Sequence, residues 1–116
     1  MGGFLGSISR YLVRDYFFQN YQTDYPWGTF VVNVVGCFLI GLILGISSTS
    51  GSISKEGVWF FSTGFCGAFT TFSTFSYENS MLLSSEKALV VILYIGLSVT
   101  VGLIFTWLGL NLAKLL

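Results

Sequence analysis

Apolar and polar residues alternate along this chain on a coarse scale: four long apolar stretches are separated by short polar turns. The second stretch, about residues 29–47, is the clearest of the early ones. Its FVVNVVGCFLIGLILGIS sets one polar amide, Asn33, among aliphatic side chains, and it is long enough to cross a hydrocarbon core of about 30 Å. The fourth, about 88–112, is the longest and cleanest. The third, about 58–83, is long but softened at its centre by Gly64, Gly67 and a run of hydroxyls, and the first, about 2–18, is weakly apolar with Arg10 in its middle. Asp24, Pro26 and Gly28 mark the first break, with Pro26 suited to the opening turn of the helix that follows. SSTSGSISKEG marks the second and SSEK the third. The pattern predicts an all-α integral membrane protein of four spans, a single transmembrane domain over residues 1–116. The turns are too short to hold a domain, so any chemistry lies within the membrane or at its mouth.

Composition strengthens this picture. Of 116 residues, 53% are hydrophobic and only 9% are charged, where a soluble domain carries about a quarter charged. A chain this short also leaves much of its surface exposed, so lipid is the solvent that fits. A net charge of zero leaves no basic field to attract nucleic acid or an anionic membrane surface. Cys37 and Cys66 sit in apolar stretches without a CxxC pattern, and the chain has no histidine; neither a zinc site nor a disulfide framework is expected, and both read as small buried hydrophobes. Met1 to Gly6 lacks a basic segment and is followed by Arg10, Arg14 and Asp15, so no cleavable signal peptide is expected.

With four spans, the N-terminus, Lys55 and Lys114 share one side of the membrane, and Arg14, Lys87 and, at its depth, Arg10 share the other. This near balance gives the positive-inside rule almost nothing to act on. The expectation is a dual-topology chain that inserts both ways and assembles as an antiparallel homodimer about an axis in the membrane plane.

Polar groups inside lipid are costly and so point to function. Arg10, Asn33, the run from Thr70 to Ser76, Glu78, Tyr94 and Ser98 are the candidates. Glycine and threonine weaken a helix interior, so STGFCGAFTTFSTFSYE allows a break near Gly67 to Thr70. Backbone carbonyls freed there are cation ligands; equally, the glycines serve close helix packing. Phe69, Phe72 and Phe75 recur at three-residue spacing on one helix face. They form either a packing stripe or a row of ring edges whose positive quadrupole can face an anion. Asn33 and the hydroxyls of the 70–76 run add neutral donors. Tyr94 and Ser98 stack four apart on the last span, as a polar track or as two separate interhelical bonds.

These residues carry a family resemblance. GGFLGSISRY at 2–11, PWGTFVVNVVGCFLIG at 26–41 and above all GFCGAFTTFSTFSYE at 64–78 resemble the Fluc, or CrcB, family of bacterial fluoride channels, in order along nearly the whole chain. The resemblance implies an antiparallel dual-topology dimer in the bacterial inner membrane, with two pores that passively release cytoplasmic fluoride. It implies that Phe72, Phe75 and Asn33 line the pore. Gly67 and Thr70 would enclose a structural sodium ion at the dimer centre through backbone carbonyls. Arg10 would belong to an electropositive vestibule, and Tyr94 and Ser98 to a hydroxyl track. Ala68 stands where many relatives have a third glycine, and Gly102 extends the Tyr94 and Ser98 row without a hydroxyl, so Thr71 or Thr74 would complete the track.

The expected mechanism needs no energy input. The sequence has no phosphate-binding loop and no acid at mid-membrane to couple protons, so it is read as a channel and not an enzyme, pump or antiporter. A small, strongly hydrated anion needs many modest donors in place of water, and a fixed charge would trap it. The first alternative is a small dual-topology multidrug-type transporter, which requires a membrane-embedded glutamate where the first span has Arg10. The second is a helical scaffold subunit, which leaves Asn33 and the hydroxyl run without a purpose.

Overall fold

The computed structural model describes residues 1–20, 25–49 and 53–115, and every described segment of regular structure is helical. Asp24 and residues 50–52, read from the sequence as turn positions, lie outside the described residues. Helix α1 runs Gly2–Asn20, α2 Trp27–Thr49 and α6 Ala88–Ala113. Between α2 and α6 the chain forms a short α3, Lys55–Val58, then a π-helical stretch, Trp59–Cys66, a single turn α4, Gly67–Phe69, and α5, Phe72–Ser84. The particle is elongated, 49 × 27 × 22 Å.

Helices α2 and α6 are long and apolar enough to cross a membrane, with mean hydropathy 2.5 and 2.6. Only 33% and 11% of those windows is buried inside the chain. The core helix of a soluble protein would be mostly buried, so these outward apolar faces have lipid or another chain as their natural surroundings. At 1.5 Å per residue their 23 and 26 residues reach about 35 and 39 Å. Exposed Trp59, Trp107, Tyr11 and Tyr16 complete an apolar exterior.

Helix α2 is central, packed against α6 on one side and α1 on the other. Lipid offers no hydrophobic gain for joining apolar helices, so close backbone approach must supply the packing energy. Glycines permit it. A Cβ on Gly41 would strike the carbonyl of Thr106, and one on Gly109 would strike the carbonyl of Phe38 and lie 2.7 Å from the Leu42 nitrogen. Helix α1 approaches the π-helical stretch in the same way, since a Cβ on Gly6 would meet the carbonyl of Phe65.

Local chemistry sets the ends. Ser54 caps α3 by accepting from the Gly57 N–H at 3.0 Å. Helix α5 closes in a Schellman motif: Lys87 N–H donates to the Leu82 carbonyl and Glu86 N–H to that of Leu83, with Glu86 at φ 60. That left-handed residue lets the chain reverse into α6.

Candidate functional site

Between Phe69 and Phe72 the chain leaves helical conformation for two residues. Thr70 has φ −82, ψ 159 and Thr71 φ −151, ψ 123, both extended. The position follows from a side chain 38 residues away. Asn33 on α2 accepts the Thr71 N–H at Oδ1, 2.8 Å, and donates from Nδ2 to the Thr71 carbonyl at 3.1 Å. The amide thus replaces the backbone partners that Thr71 loses on leaving the helix, a requirement for a residue only 8% exposed. The Thr70 hydroxyl ties back to the Cys66 carbonyl at 2.8 Å, while Thr71 Oγ1 accepts the Thr74 N–H and caps α5. Gly36 leaves room for the Thr70 methyl group, which a Cβ there would overlap.

Asn33, Gly67, Thr70, Thr71, Phe72, Phe75 and Ser98 line one groove of about 750 Å³, together with Cys37, Cys66 and aliphatic side chains. Among the described residues, no charged side chain is in its walls. Phe72 and Phe75 have centroids 6.0 Å apart, and the Phe72 ring stands out from the surface at 78% exposure. The Ser98 hydroxyl is buried without a hydrogen-bond partner among the described residues, so it remains available to a visitor. Both cysteines are free, Cys66 buried and Cys37 half-buried.

Three sequence-predicted residues stand apart from the groove walls. Thr74 serves the α5 cap. Tyr94, fully buried, turns its hydroxyl to Glu78 at 3.0 Å and takes the edge of Phe75 at 4.7 Å. Arg10 lines a separate cleft of about 420 Å³ with Arg14, Asp15, Tyr25, Thr29 and Glu78. Glu78 bridges the two regions, because its second oxygen accepts from Thr29 at 3.1 Å.

The trio Thr29, Glu78 and Tyr94 was only partly visible in the sequence. Glu78 and Tyr94 stood out as polar groups in an apolar span, but the acid was not carried into the site. Thr29, 1% exposed, gave no signal, since it opens a helix 49 residues before its partner. The cost of an ionisable group inside a span marks Glu78 as a candidate, but no local pattern names Thr29 and Tyr94 as its partners. Tyr25, in the turn before α2, also lines the cleft, and burial pushes its phenol up to about 12.

A family model, CrcB-like protein, Camphor Resistance (CrcB), matches residues 1–110. The chain belongs to the CrcB family. Three relatives of this CrcB chain carry the name fluoride-specific ion channel FluC. The protein from Flavobacterium psychrophilum is 47% identical over 114 residues, covering 98% of this chain and 92% of the relative. That from Acidobacterium capsulatum is 40% identical over 110 residues, 95% and 88% of the two chains. That from Prosthecochloris aestuarii is 42% identical over 113, 97% and 88%. The family and the apolar helices identify the CrcB chain as a helical membrane protein.

Proposed function

We propose that this chain is a fluoride channel, not an enzyme, and that it exports the ion passively through the bacterial inner membrane as a multi-pass protein. The single observation that carries the reading is the groove: neutral polar groups and two phenylalanine rings line it, without a charged side chain among the described residues. The name shared by relatives at 40–47% identity supplies the ion.

Fluoride gives up a tight hydration shell on entering a narrow path, so replacement donors must be several and individually modest. Ser98 Oγ, the remaining Nδ2–H of Asn33 and the edges of Phe72 and Phe75 are such donors, and the Thr71 hydroxyl at the start of α5 adds to them; Thr74 and Tyr94 stand behind this lining, the Tyr94 proton being given to Glu78. Arg10, in its separate cleft, raises the local anion concentration without sitting in the path. Glu78 is held in place by two hydroxyl donors, Thr29 and Tyr94.

The groove lies open along one flank, and four spans in balanced charge suit two oppositely inserted copies that close it and form two pores. A reporter on the C-terminus then lies on both faces of the membrane. A sodium ion at the centre of that dimer fits the donor set. The Thr71 N–H goes to Asn33 and the Thr74 N–H to the Thr71 hydroxyl, so the carbonyls of Gly67 and Thr70 do not receive the i+4 donors of a continuous helix. Carbonyl oxygens at a helix C-terminus carry partial negative charge and suit a hard cation. Gly67 and Thr70 of both copies would hold it, and it would supply structural cohesion and a positive potential.

Phe72→Ile and Phe75→Ile test the ring edges, because isoleucine keeps bulk and loses the quadrupole. Fluoride efflux from liposomes is expected to fall for each variant while the dimer survives size-exclusion chromatography. Unchanged efflux would show that the rings only pack.

A further inference from the structure

We propose that Tyr25 is a positioning residue: from the turn ahead of α2, its ring holds the Tyr94 ring at the angle that keeps the Tyr94 hydroxyl on Glu78. Tyr94 is wholly buried, and its ring is touched from two sides. Phe75 meets it from α5 at 4.7 Å and 61°, and Tyr25 meets it at 5.3 Å and 70°. Both are edge contacts of the kind aromatic pairs favour.

Tyr25 is itself anchored. Its ring lies 4.6 Å from that of Trp27 and 5.6 Å from that of Phe30, and those two cross at 5.9 Å and 89°. The turn before α2 is thereby fastened to the first turn of its own helix, and that fastening is carried on to α6. Tyr25 also lines the arginine cleft beside Thr29 and Glu78. It thus stands between that cleft and the buried Tyr94 ring. Without its ring, Tyr94 gains room to turn about its side-chain bonds, and the 3.0 Å bond to Glu78 loses the ring contact that orients it on that side.

The effect on ion flow rests on the fluoride-channel reading; the effect on the Tyr94 bond does not. The test uses full-length protein in liposomes, with fluoride efflux and thermal melting both measured. Tyr25→Phe, which keeps the ring, is expected to hold efflux within about twofold of wild type. Tyr25→Leu and Tyr25→Met are expected to lower it about tenfold, the scale of coupling between touching residues. In a Tyr94→Phe background, Tyr25→Leu should cost less than about a further twofold, because the bond it protects is already gone. If wild type conducts and the Leu and Met variants conduct equally well, or if the two losses multiply in full, the inference is overturned. If wild type conducts no fluoride, the channel reading fails, and melting decides this one. Tyr25→Leu or Tyr25→Met must then at least halve the drop in melting temperature caused by Tyr94→Phe; an undiminished drop overturns it.

Discussion

Replacing Asn33 with leucine is expected to abolish fluoride efflux and to destabilise the fold by about 2–6 kcal/mol, since it strands two buried backbone groups at about 1–3 kcal/mol each. Those groups are the N–H and carbonyl of Thr71, which the Asn33 amide holds at 2.8 and 3.1 Å. Asn33→Asp separates the two roles of the side chain. It still accepts the Thr71 N–H but can no longer donate to the Thr71 carbonyl, so the stability should fall less than for leucine. It also places a negative charge on the wall of an uncharged groove, where an anion must pass, so efflux should vanish although the protein is recovered folded. Thermal melting in detergent and efflux from liposomes together check both variants. A leucine variant that melts like wild type would show that Thr71 finds other partners.

Asn33 also shows how far the sequence could be read. A lone amide among aliphatic residues marked it as functional, but marked nothing about whom it serves. Its partner is a backbone 38 residues ahead, and no local pattern encodes such a pairing. The weak helix formers from Gly64 to Ser76 located the soft region of the third span. The break expected near Gly67 to Thr70 falls at Thr70 and Thr71: Gly67 remains helical, and it is the Asn33 amide, a tertiary partner, that stabilises an extended Thr71. The π-helical stretch Trp59–Cys66 left no signature either, since its residues would equally form an ordinary α-turn. Helices α2 and α6 were legible for the opposite reason: their apolar faces follow from solvent alone.

Gly109→Ala is expected to cost folded protein where the same change at Gly96, on the same helix, does not. The new methyl at 109 would enter the backbone of α2 at Phe38 and Leu42, where no side chain can swing aside; at 96 nothing lies within 4 Å. Overpacking of this kind costs about 1–3 kcal/mol, and more when the obstacle is backbone. The contact between α2 and α6 is the most extensive in the molecule, so pushing these helices apart also displaces Asn33 from Thr71 and Tyr94 from Glu78. Recovery of monodisperse protein and its melting temperature check the pair. Equal behaviour of the two variants would mean that the helices do not rely on backbone contact.

The most direct measurement of the central claim is anion efflux from liposomes that contain this chain and no other protein, followed with a fluoride electrode and, in parallel, for chloride. An uncharged groove of modest donors predicts rapid fluoride release without any applied gradient of protons or nucleotide, and chloride release no faster than from empty liposomes. Retained fluoride, or chloride leaving as fast as fluoride, would contradict it.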